Sequence, residues 1–141
     1  MSLPTPVPGM VLSYEFLWSD EHARGQETGL KARPAVVVTA VRRHADGALL
    51  VSVLPITHSP PSDRLASVEL GPELKRLLSL DDAASWAIAD EINDFIWPGY
   101  DLAPGPDGRW VYGSVPPGFF AQLRRALARA AALKRLRRVI R

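Results

Sequence analysis

Cysteine is missing from the chain. Disulfides, thiolate metal sites and cysteine nucleophiles are thereby excluded. Only three histidines occur, His22, His44 and His58, too scattered to suggest a transition-metal centre, so neither a metal nor a cofactor is expected. No apolar run is long enough to cross a bilayer. Residues 1 to 8, with prolines at 4, 6 and 8, lack both a basic leader and an uninterrupted apolar stretch, so they read as an extended entry segment and a cytoplasmic protein is expected. A phosphate-binding glycine loop, a Gly-x-Ser-x-Gly elbow, an HExxH motif and internal repeats are also lacking.

What is present fits one soluble domain. At 141 residues a second domain is not expected, and 47% hydrophobic residues are enough to bury a core. Acidic residues are absent from 119 to 141, which hold eight of the 17 cations; the other nine face all 15 acids, a net of −6 on the body. Such a basic segment, with 134 to 141 as its tail, either meets phosphate or an acidic partner, or pairs with the protein's own acidic surface.

The organising stretch runs from Lys31 to Thr57. An apolar strand at 35 to 41, a turn at Asp46-Gly47 and a second apolar strand at 49 to 54 predict a buried hairpin. Antiparallel pairing then returns Arg33 toward Thr57. Residues 10 to 18 read as a strand with Ser13 and Glu15 facing solvent, and residues 19 to 31 as a long exposed loop without regular structure. Short strands are expected at 66 to 70, at 86 to about 92 and at 110 to 114, and one or two helical turns at 72 to 78. Pro116-Pro117-Gly118 opens the one long helix, whose apolar face carries Phe119, Phe120, Leu123, Leu127, Ala130, Ala131 and Leu133. These elements predict a mainly β fold, a small bent antiparallel barrel with a C-terminal helix laid against it.

Arg33 precedes Pro34, so it is displayed from an extended backbone and suits a phosphate; the alternative is an ion pair with Glu15 or Glu27. Thr57-His58 offers a hydroxyl beside an imidazole, or simply a turn. Asp90, Glu91 and Asp94 form an acidic cluster that either titrates unusually or solvates a sheet edge. Trp97 and Tyr100 are aromatic groups suited either to stacking on bases or to the core.

The order of these pieces says more than any one of them. Gly9 before an apolar strand, a charged loop ending in Arg33-Pro34-Ala35-Val36-Val37-Val38, then Val53-Leu54-Pro55-Ile56-Thr57, Ala87-Ile88-Ala89-Asp90-Glu91, and Gly113-Ser114-Val115-Pro116 before a helix resembles the PemK/MazF family of toxins across nearly the whole chain. The resemblance implies an SH3-like barrel of the CcdB/MazF type, a homodimer, an antitoxin partner and metal-independent cleavage of single-stranded RNA through 2′-hydroxyl attack. By the same resemblance Arg33, Thr57 and Asp90 match family site positions, with His58 a further catalytic candidate. Glu27, Lys31 and Trp97 are the substrate-binding candidates. The chain departs from the family at His58, at Ile88 where some members have arginine, and in its longer loop at 19 to 31. Two other functions suit the same fold: a silent module that binds nucleic acid or protein, and a gyrase-inhibiting toxin.

Overall fold

The computed structural model describes residues 3–29 and 31–141; Met1, Ser2 and Leu30, which belong to the expected entry segment and loop, lie outside the described residues. Two long strands dominate it, β2 (Arg33–Arg42) and β3 (Leu49–Thr57). Before them come β1 (Met10–Tyr14) and a helical turn α1 (Ser19–Ala23). After them follow β4 (Ser67–Glu69), α2 (Pro72–Leu77), β5 (Trp86–Ile88), β6 (Glu91–Ile96), β7 (Val111–Ser114), α3 (Pro117–Ala132) and β8 (Arg137–Ile140).

The hairpin forms as its apolar runs and turn demand. Ala35 pairs with Pro55, Val36 with Leu54 and Val37 with Val53; a bulge then shifts the register so that Thr39 meets Ser52 and Arg42 meets Leu49. Gly47 closes the turn at φ +71°, a left-handed conformation that suits glycine. Both faces of the hairpin are covered, which is why its strands read as continuous apolar runs. Val36, Val38, Leu54 and Ile56 pack with Leu123 and Ala126 of α3. Ala35, Val37, Val51 and Val53 pack inside the barrel with Leu12, Tyr14, Phe16 and Phe95.

On the edge away from β2, β3 serves two partners. Its residues 50 to 53 pair with β6, whereas Ile56 and Thr57 pair with β5. The expected single strand from 86 to about 92 is therefore two, broken at Ala89 and Asp90 where the chain turns the corner between them. The sheet runs β8-β6-β3-β2-β1-β7, with β5 and β4 branching from the end of β3. Among the described residues no pairing joins β7 to β8, so the barrel is incompletely closed. The mainly β architecture with α3 against one face is the one expected, apart from a parallel β6–β8 pair in an otherwise antiparallel sheet. No helix among the described residues is long and apolar enough to cross a membrane.

Two local expectations are corrected. β1 ends at Tyr14 rather than Trp18, and Ser13 is fully buried rather than solvent-facing. Beyond it the Asn93 side chain takes over the work of a strand partner, accepting from the Leu17 amide at 2.9 Å and donating to the Leu17 carbonyl at 2.8 Å. The stretch from 19 to 31 is not wholly irregular, because α1 opens it and Glu21 accepts from the Trp18 amide at 3.0 Å. The basic tail at 134 to 141 forms a strand and pairs with the protein's own acidic surface, the second of the two alternatives its charge offered. Lys134 adopts φ +56° after α3, and β8 then runs parallel to β6.

Charge holds β8 in place. Arg137 lies 3.6 Å from both Asp90 and Glu91, Arg138 lies 3.2 Å from Asp94, and Arg129 and Arg135 share Asp63. Arg141 turns inward, its side chain 4% exposed, and pairs with Asp101. It also donates to the Glu15 carbonyl at 2.9 Å and to Asn93 Oδ1 at 3.0 Å, so one guanidinium ties β6 to the chain after β1. Removing one partner of a buried ion pair strands the other. Arg141→Ala is expected to destabilise the protein by about 3 kcal/mol in urea unfolding, whereas Arg24→Ala, which breaks an exposed pair with Asp20, changes stability by less than about 0.5 kcal/mol.

Candidate active site

The hairpin register carries the ends of β2 and β3 to one place. Pro34 holds the backbone of Arg33 extended, and the Arg33 guanidinium Nη1 lies 3.5 Å from Thr57 Oγ1. Trp18 lies beneath the guanidinium at 5.4 Å, a cation–π contact that fixes its plane. Burial draws Arg33 below its ordinary pKa, with Glu21 opposing the shift. Its Nε is buried and has no hydrogen-bond partner among the described residues.

Thr57 is 7% exposed. Its oxygen accepts from the Ser59 amide at 3.1 Å and faces Arg33, and its hydroxyl proton can donate to a further acceptor. The arrangement suits a phosphoryl oxygen, met by a guanidinium and a hydroxyl together.

Two clefts meet at Thr57. The first, about 430 Å³, contains Lys31, Arg33, Thr57 and His58. The second, about 260 Å³, contains Thr57, Trp18, Asp90, Glu91 and Arg137. The exposed imidazole of His58 has Nδ1 3.0 Å from the Ala84 carbonyl and Nε2 3.2 Å from Asp81, so both ring nitrogens face acceptors. Asp90 lines the second cleft with Thr57. Burial raises its pKa against the pull of Arg137, and burial raises that of Glu91 against its hydrogen bonds from Ser19.

The other candidates separate from this centre. Glu27 is exposed and lines neither cleft, and its carbonyl accepts from Arg141 at 3.3 Å. Trp97 is half-buried against the barrel core beside Phe95, and its amide donates to the Leu49 carbonyl, at the opposite end of β3 from Thr57. Eight residue steps of strand, about 26 Å, separate those ends. Sequence reasoning did not single out Trp18, Asp81, Ser85, Arg109 or Arg137, all of which line the clefts. Only Trp18 carried a signal: it follows β1, whose pairing of Tyr14 with Arg33 brings the next residues past the start of β2.

The class this fold defines is a small, mainly β barrel with a helix laid against it. Among solved structures the chain is similar to an endoribonuclease from Mycobacterial species, at 19% identity and a TM-score of 0.52, over 94% of this chain and 96% of that one. At that identity the likeness is one of fold. No protein-family model and no curated protein matches the chain.

The raised carboxyl pKa of Asp90 has a thermodynamic consequence. A carboxyl that holds its proton more tightly when folded stabilises the protein at low pH and loses that contribution as pH rises from the ordinary carboxylate range through the folded value. Asp90→Asn is therefore expected to be more favourable, relative to wild type, at about pH 7 than at about pH 4 in paired unfolding measurements. An equal difference at both pH values contradicts the burial account.

Proposed function

We propose that the protein is a metal-independent endoribonuclease of the PemK/MazF toxin type, cutting single-stranded RNA at the junction of the two clefts. The observation that carries this reading is the Arg33–Thr57 pair: a cation with an unpartnered buried Nε beside a hydroxyl whose proton is free to donate. In the reaction a ribose 2′-oxygen forms a bond to the adjacent phosphorus and the bond from phosphorus to the 5′-oxygen breaks. Arg33 stabilises the charge that accumulates on the phosphorane, and Thr57 donates to a non-bridging oxygen.

Such a displacement is in line, so the attacking and leaving oxygens lie on opposite sides of phosphorus. His58 lines one cleft and Asp90 the other, with Thr57 common to both, and they are the pair assigned here as acid and base for this step. Asp90, made more basic by burial, takes the 2′-hydroxyl proton, and His58 gives one to the 5′-oxygen. The products are a 2′,3′-cyclic phosphate and a 5′-hydroxyl. Lys31, in the first cleft, contacts RNA beside the cut, and Glu27, outside both clefts, meets the RNA only farther along the strand. Trp97, a strand's length away, would meet RNA only at a remote stretch or from a second subunit. The working form is a homodimer in the cytoplasm, neutralised by a cognate antitoxin.

One observation favours a second reading, a module that holds RNA without cutting it: both ring nitrogens of His58 are already engaged. Cleavage of single-stranded RNA in EDTA separates the two. Wild type is expected to cut, Arg33→Ala to lose at least about 100-fold and Thr57→Val about tenfold, both with native unfolding curves. RNA left intact by wild type would instead support the binding module.

A further inference from the structure

Arg33 is held in place without a counter-charge. Among the described residues no carboxylate lies within salt-bridge distance of its guanidinium. A carboxylate anchor would neutralise the group and engage its donors. The Trp18 ring, with its centroid 5.4 Å from the guanidinium carbon, orients Arg33 and leaves its charge for an anion. The aim of Arg33 therefore depends on what fixes Trp18.

Two side chains of β6 do so. Both backbone edges of β6 are taken, by β3 and β8, and residues 17 to 19 pair with its side chains instead. Asn93 accepts from the Leu17 amide at 2.9 Å and donates to the Leu17 carbonyl at 2.8 Å. Two positions earlier, on the same face of the strand, Glu91 accepts from the Ser19 amide at 2.8 Å and from the Ser19 hydroxyl at 2.6 Å. Trp18 lies between these two grips. Its amide donates to Glu21 at 3.0 Å, its carbonyl accepts from the His22 amide at 3.0 Å, and its ring meets Phe16 edge-on with centroids 5.4 Å apart. Glu91 is 6% exposed, and a carboxylate so buried is costly unless it is well paired. Ser19 engages both of its oxygens and Arg137 lies 3.6 Å from one of them, so Glu91 is spent on holding the chain, unlike its neighbour Asp90.

We propose that Glu91 is a positioning residue for the site: by gripping Ser19 it holds the Trp18 ring beneath Arg33, and so keeps an unneutralised guanidinium aimed at Thr57. The proposal rests on the ribonuclease reading of Arg33 and Thr57. Glu91 acts through Ser19 and Trp18 and takes no part in proton transfer.

The test follows the Arg33 Nε–H by NMR in the free protein and cleavage of single-stranded RNA by the same samples, beside their urea unfolding curves. A proton over an indole ring resonates upfield. Glu91→Ala is expected to move the Arg33 signal downfield, toward its position in Trp18→Leu, and to lower kcat about tenfold with KM changed less than about twofold. In Glu91→Gln the side-chain oxygen still accepts from the Ser19 amide and the side-chain nitrogen donates to the Ser19 hydroxyl, so the Arg33 signal should stay and kcat fall less than about threefold. Combining Glu91→Ala with Trp18→Leu should cost no more than the worse of the two alone, because both act on one guanidinium. Ser19→Ala removes one of the two hydrogen bonds and should give the same signs at about threefold in kcat, which keeps the test open where Glu91→Ala is unfolded. Additive losses in the double variant, a Glu91→Gln as slow as Glu91→Ala, or an Arg33 signal unmoved in both Glu91→Ala and Ser19→Ala would overturn the positioning role, and a wild type that cuts RNA would still stand as a ribonuclease. An Arg33 signal that follows Glu91 in a protein that cuts no RNA would keep the positioning role and sink the cleavage reading.

Discussion

The register of one hairpin governs this structure. β2 and β3 are locked by apolar residues on both faces, so neither can slip by one residue without turning its valines from one core into the other. That register alone brings Arg33 to Thr57, 24 residues apart in sequence. The division of β3 between β6 and β5 adds the second constraint. Where those partners diverge, at Ala89 and Asp90, lies a second cleft that Thr57 also lines. The site is thus a consequence of how the sheet divides at β3, not an addition to it.

Charge does a different task from the one its distribution suggests at first. A net of −6 on the body and eight cations near the C-terminus would fit a separate RNA-binding tail. Instead Arg129, Arg135, Arg137, Arg138 and Arg141 meet Asp63, Asp90, Glu91, Asp94 and Asp101 within the fold. The segment becomes a strand laid along β6, and Arg137 becomes the counter-charge for the carboxyls of the second cleft. Most such exposed pairs contribute little to stability individually, but the buried Arg141 is a different case, since its guanidinium is enclosed by groups from three parts of the chain.

Much of this was legible in the residues. The hairpin, the short strands near 67 and 111, the helical turn at Pro72 and the long helix after Pro116 all follow from period, turn chemistry and proline position. So did the meeting of Arg33 and Thr57, because antiparallel pairing is arithmetic once the turn is found. What stayed hidden depended on contacts distant in sequence. Arg137 to Ile140 has no strand-like alternation to announce it, and only its acidic partners on β6 make it one. The break at Ala89 and Asp90 is set by the two partners of β3 and not by local propensity. Ser85 and Arg109 sit in a loop and beside a proline-glycine stretch, and nothing in their own neighbourhood marks them as lining the same recess.

The central claim is that the two hairpin ends form one phosphate-holding site. It is tested most directly by NMR, following the Arg33 side-chain Nε–H and the Thr57 backbone amide while a 2′-O-methyl RNA oligonucleotide is added. Both signals moving along one shared binding curve, with the Arg33 Nε–H showing the downfield shift of a new hydrogen bond, is the result the account predicts. RNA binding that leaves Arg33 and Thr57 unmoved would contradict it.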